Sequence, residues 1–146
     1  MAYRPVFEVA SFLYLPPPAR ERILTALVEA QIAANLEYLA QYPQTAPLYE
    51  LTRTGQIVYV FNFDRWQDIP SCLDRMQGDC KDLSAWRVAE LRRAGVFALV
   101  DVISRTRKTP VGDSIVYHVR VKLPSGQVED PSVMAGMNPA GAFAPV

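Results

Sequence analysis

Histidine and cysteine are nearly absent: the 146 residues hold one histidine, His118, and two cysteines, Cys72 and Cys80. A structural zinc site needs about four closely spaced nitrogen or sulfur ligands, so no metal is expected. A disulfide between the two cysteines would close only a short loop, and nothing else suggests a disulfide scaffold. Excess charge of either sign is missing too, because fifteen Lys and Arg balance fifteen Asp and Glu. Nucleic-acid binding draws on a basic excess or stripe, so no nucleic-acid partner is expected. No apolar run approaches the roughly 18–20 residues of a membrane-spanning helix. The first residues, "MAYRPVFEVASFLYLPPP", lack the charged, apolar and small-residue order of a secretory signal. The expectation is a cytoplasmic protein without a membrane partner. No cofactor motif and no internal repeat occurs, so no cofactor is expected.

Half of the residues are hydrophobic and a tenth are aromatic, which is the composition of a globular domain. The stretch "PPPARERILTALVEAQIAANLEYLAQYP" predicts a helix over about 18–42, opened by Pro16–Pro18 and stopped by Pro43. Leu24, Leu27, Val28, Ile32, Leu36 and Leu39 recur at helical spacing and form one apolar stripe. "GQIVYVFNF" (55–63) and "VFALVDVIS" (96–104) read as strands. Between them, a connector carries Trp66 and Cys72 and leads to a helix from about Cys80 to Arg93, with Gly95 past its end. "RTRKTPVGD" reads as a polar basic loop, and "SIVYHVRVKL" (114–123) as an alternating strand that "PSG" turns back. The remainder, "VMAGMNPAGAFAPV", is small and aperiodic and reads as an extended tail. The organisation expected is a single α+β domain over 1–132, with helices packed on a mostly antiparallel sheet, and a Gly/Ala/Pro-rich tail over 133–146.

In "GDCKDLSAW" (78–86), Asp79 suits an N-cap and Asp82, three residues on, can complete the box. Cys80 then occupies the first helical position, where unpaired amides and the helix dipole favour a thiolate. Gly78 permits a close backbone approach. His118 falls with Val116, Arg120 and Lys122 on the polar face of its strand, away from Ile115, Tyr117, Val119 and Val121. If Pro124, Ser125 and Gly126 make a three-residue loop, Arg120 opposes Asp130 and that carboxylate lies diagonal to His118. A two-residue turn puts Asp130 on the other face. Pro131 ends the ladder. A thiol, an imidazole base and an orienting carboxylate are the parts of nucleophilic thiol catalysis.

These segments, "GDCKDLSAWRVAELRRAGVFALVDV" and "YHVRVKLPSGQVEDPS", resemble the transglutaminase-like cysteine protease superfamily over residues 78–132. The resemblance implies a papain-like fold and a triad of Cys80 as nucleophile, His118 as base and Asp130 as orienting acid. Gln77 and Trp66 are candidates for the oxyanion site beside the Cys80 N–H; Trp66 suits the core equally well, and Cys72 reads as structural. Val119 and Arg120 follow the histidine where many relatives carry a tryptophan. The activity implied is hydrolysis or acyl transfer at a peptide or isopeptide amide. The chain is also similar to small proteins of tailed-phage structural gene clusters. The alternative is therefore a virion structural or assembly protein, its triad retained or vestigial, attached to further copies or to other virion proteins through the N-terminal helix and the tail.

Overall fold

The computed structural model describes residues 16–62 and 65–139. Prolines fix the start of α1 (Pro17–Gln41), whose N-cap is Pro16. Its apolar stripe buries Val28, Ile32 and Leu39. The stripe lies against α4 (Cys80–Arg93), which buries Leu83, Trp86, Val88 and Ala89 in the same core. At the rim, the Arg92 guanidinium donates two hydrogen bonds to Glu29, at 2.8 and 2.9 Å, and ties the helices together.

Between these helices lie α2 (Leu48–Arg53), which the sequence pattern did not mark, β1 (Val58–Tyr59), α3 (Ile69–Arg75) and β2 (Gln77–Gly78). The strands β1 and β2 pair in parallel. The strand expected over 55–63 shrinks to two residues because β2 runs at once into the α4 cap and offers no further partner; Phe63 lies outside the described residues.

A second, antiparallel sheet has the order β3 (Leu99–Thr109), β4 (Gly112–Lys122), β5 (Val128–Glu129). The expected loop "RTRKTPVGD" is instead the distal part of a hairpin, with pairing unbroken from Arg105↔Val116 to Thr109↔Gly112. Its polarity reflects a two-stranded arm solvated on both faces rather than a loop. The turn from β4 to β5 has the three-residue form: Gly126 takes φ +88° and the Leu123 N–H donates to the Gln127 carbonyl at 2.8 Å. Pairing of Val121 with Glu129 and Lys122 with Val128 sets Asp130 opposite Arg120 in register.

The segment read as a free tail from 133 is docked at its start. It opens with α5 (Pro131–Met134), and Ala135 and Met137 are buried at 7 % exposure each. The Ala135 carbonyl accepts the Tyr59 N–H at 2.9 Å, and Gly136 turns the chain at φ +102°. Small residues here fit a tight turn against the core, which composition alone reads as disorder. Residues 140–146 of the expected tail lie outside the described residues. The domain is α+β, with helices on an antiparallel sheet. No helix among the described residues is long and apolar enough to cross a membrane.

Candidate active site

The site begins at the α4 cap. Asp79 accepts the Asp82 N–H at 3.4 Å, and the Asp82 carboxylate accepts the Asp79 N–H at 3.2 Å, so a capping box closes around Cys80. Asp82 does more than cap. Fully buried, it also accepts from Gln31 Nε2 at 2.8 Å, the Gln67 N–H at 2.9 Å and Gln67 Nε2 at 3.0 Å. The start of α4 is thereby anchored to α1 and to the chain ahead of α3. Gly78 is required by packing rather than by a substrate: a Cβ there would meet Leu83 Cδ2 at 2.9 Å and Cys72 Sγ at 3.3 Å. Cys72, with no exposed surface, is a core side chain under this turn.

The end of β5 supplies the other half. Leu123 and Val121 direct their backbone groups toward β5, and by the two-residue alternation Val119 does too. But β5 stops at Glu129, and Pro131 has no N–H to offer. The first turns of α4 take up the vacated positions. Ser84 Oγ donates to the Val119 carbonyl at 2.9 Å, and the Val119 N–H lies near enough to the Cys80 sulfur to favour its charged form. The thiol therefore sits at the peptide unit joining His118 to Val119. His118 is buried at 3 % exposure, and its Nε2 lies 2.7 Å from Asp130 Oδ2. The other Asp130 oxygen accepts the Ser132 N–H at 3.2 Å and caps α5. Cys80, His118 and Asp130 thus gather at one junction of α4, β4 and α5.

A clamp holds this junction. Arg87, seven residues beyond Cys80 and on the same helix face, donates from Nε and Nη2 to the two Glu129 oxygens, each at 3.1 Å. Its guanidinium also stacks 4.5 Å from the Tyr49 ring centre. The last residue of β5 is pinned to α4 immediately before Asp130.

Electrostatics overturn one expectation. The helix N-terminus was expected to hold the Cys80 thiol below its ordinary pKa. Burial and the adjacent Asp79 carboxylate push it up to about 12 instead, against the smaller opposing pull of the Val119 N–H and Lys81. The Cys80 side chain is therefore held as a neutral thiol. Asp79 is itself raised above the carboxylate range by burial and by Asp82, although Lys81 is ion-paired with it.

Lys81 also donates to the Asn62 carbonyl at 2.9 Å and lies 5.2 Å from the Trp66 ring centre. Trp66 is therefore a packing partner of Lys81 and of the core. Gln77 is half-buried in β2, three residues ahead of Cys80. Tyr59 is the site residue that sequence reasoning missed. It pairs with Gly78 across β1 and β2, and the pKa of its hydroxyl is raised first by burial and then by the neighbouring acidic groups Cys80, Asp79 and Asp130. No motif marks it; only the β1–β2 pairing brings it to the cap. Among the described residues no group of three His, Cys, Asp or Glu side chains could hold a metal ion. Compared with family models, with curated proteins and with solved structures, the chain matches none.

Proposed function

We propose that this chain is a thiol-dependent amide hydrolase or acyl transferase of the transglutaminase-like kind. The carrying observation is the 2.7 Å contact of His118 with Asp130 on the peptide unit that meets the Cys80 thiol. Asp130 holds the His118 Nε2–H tautomer, which leaves the Nδ1 lone pair to take a proton. As the Cys80 sulfur bonds to the carbonyl carbon, its proton passes to Nδ1 and the carbonyl π pair moves to oxygen. Collapse of that oxyanion breaks the C–N bond, and the imidazolium protonates the departing amine. Water or a second amine then attacks the thioester, again with His118 as base. Because the thiol starts neutral, the base acts within the step rather than in a preformed ion pair.

The test uses p-nitrophenyl acetate as a generic acyl donor. Intact mass should show one acetyl group on Cys80, cleared by hydroxylamine, and Cys80→Ala and His118→Gln should abolish both the adduct and the nitrophenol burst. An acetylation rate unchanged in Cys80→Ala would refute the proposal.

The rival reading, a phage virion assembly protein on the same scaffold, drew on the helix at 18–42 and the tail from 133 as attachment devices. The α1 stripe is spent on the core, and the chain to Met137 packs on its own domain, which favours the enzyme.

A further inference from the structure

We propose that the Tyr59 hydroxyl is the second oxyanion donor of this site, acting with the backbone N–H of Cys80. The inference rests on the acyl-transfer reading above and names a residue that reading leaves open. The tetrahedral intermediate of thiol acyl transfer places a negative charge on the former carbonyl oxygen, and sites of this chemistry meet it with fixed donors. One donor is given by the helix start: the capping box uses the amides of Asp79 and Asp82, and the Cys80 N–H is not among them. A second donor must approach from outside α4.

The Trp66 ring is engaged by the Lys81 ammonium at 5.2 Å and by the core. Tyr59 stands elsewhere. In β1 it lies directly beside Gly78, two residues before the nucleophile. Its neighbours Val58 and Val60 point outward at 42 % and 37 % exposure, so by strand alternation the Tyr59 ring turns inward, onto the cluster that Cys80 also packs against. Its backbone is held on both sides: the Tyr59 N–H by the Ala135 carbonyl at 2.9 Å, and the Val60 N–H by the Gly78 carbonyl at 3.0 Å. A donor on so fixed a backbone needs little reorganisation at the moment of reaction. Tyr59 and Cys80 pack against the same core cluster, and the acidic groups of the α4 cap and Asp130 bear on the Tyr59 hydroxyl. Burial and those acidic neighbours keep the phenol protonated, so it remains a hydrogen-bond donor.

The experiment compares two reactions of one sulfur in wild-type protein and Tyr59→Phe. Acetylation by p-nitrophenyl acetate passes through an oxyanion; alkylation by iodoacetamide does not. Both are followed at Cys80 by peptide mass spectrometry at the same pH, with thermal midpoints recorded alongside. Tyr59→Phe should slow acetylation by about 10²-fold and leave alkylation and the midpoint unchanged. Equal slowing of both reactions would make Tyr59 a support of the thiol, and no slowing of either would remove it from the site; each overturns the assignment. A wild-type Cys80 that is alkylated but never acetylated would overturn the acyl-transfer reading itself, and the donor role with it.

Discussion

The neutral resting thiol makes a quantitative prediction for the reactivity of Cys80. Its pKa of about 12 stands against an ordinary value of 9.0. Three pKa units leave about 10³-fold less thiolate than an ordinary cysteine at pH 7, where neither is saturated. A more basic thiolate is also a better nucleophile, with a Brønsted slope of about 0.4–0.5, which returns roughly 1.2–1.5 decades. The net expectation at pH 7 is alkylation about 30–60-fold slower than that of a free reference thiol. Partial burial lowers the rate further, but by the same factor at every pH, so the shape of the profile is the decisive quantity.

The assay is iodoacetamide labelling with timed quenching, in which the peptide carrying Cys80 is quantified against glutathione in the same tube. The logarithm of the rate should climb one unit per pH unit from about 7 to beyond 10, without a plateau. Asp79→Asn removes the second-largest cause of the upward shift, so the same substitution should speed labelling at pH 7. Cys72, with no exposed surface and its thiol also pushed up by burial, should lag Cys80 throughout. A plateau with its inflection below pH 7 would refute the reasoning. It would mean that a thiolate–imidazolium pair exists before substrate binds, and that His118 acts from the charged state.

Other substitutions probe the scaffold around the triad. Asp130→Asn keeps an oxygen to accept the Ser132 N–H but presents the wrong partner to His118, so acetylation should fall roughly 10²–10⁴-fold with little change in thermal midpoint. Arg87→Ala removes the fork to Glu129 and the stack on Tyr49, and should cost about 1–2 kcal/mol in urea denaturation. Arg87→Lys should recover only part, because an ammonium cannot make the paired contact. Asp82→Ala strands the donors of Gln67 and Asp79 in the interior and should cost about 3–5 kcal/mol, read as a lower urea midpoint.

What the sequence disclosed follows the range of the signals it carries. The span of α1 was legible because three prolines and a leucine stripe are local features, and that of α4 because Asp79 and Gly95 bracket it. The register that sets Asp130 beside His118 was legible as one of two options, since Gly126 favours the three-residue loop without requiring it. The short parallel sheet was not legible. Two residues on each side carry no periodicity, and the pairing exists because α3 delivers Gln77 and Gly78 alongside β1. Tyr59 was hidden for that reason. The basic hairpin arm carries no apolar periodicity and so gives no strand signal, because a strand solvated on both faces needs no apolar face. The thiol pKa departs from the sequence expectation because burial, and after it the Asp79 carboxylate beside the sulfur, outweigh the helix N-terminus.

The chain after Glu129 has a meaning that composition concealed. One oxygen of Asp130 meets His118 Nε2 and the other caps α5, so the His118 contact and the docking of the following residues depend on a single side chain. The turn after α5 then returns to β1, where the Ala135 carbonyl holds the Tyr59 N–H. Residues 131–137 thereby join the end of β5 to the strand that runs beside the Cys80 cap, with α5 packed against α4. A four-residue helix followed by Ala-Gly is too short to be stable by itself. Its order comes from the Asp130 cap and from the acceptor it provides to β1, the same two contacts that hold Asp130 and the backbone of Tyr59. Loosening this segment should therefore disturb both ends of the chemistry together, which a detachable tail would not do.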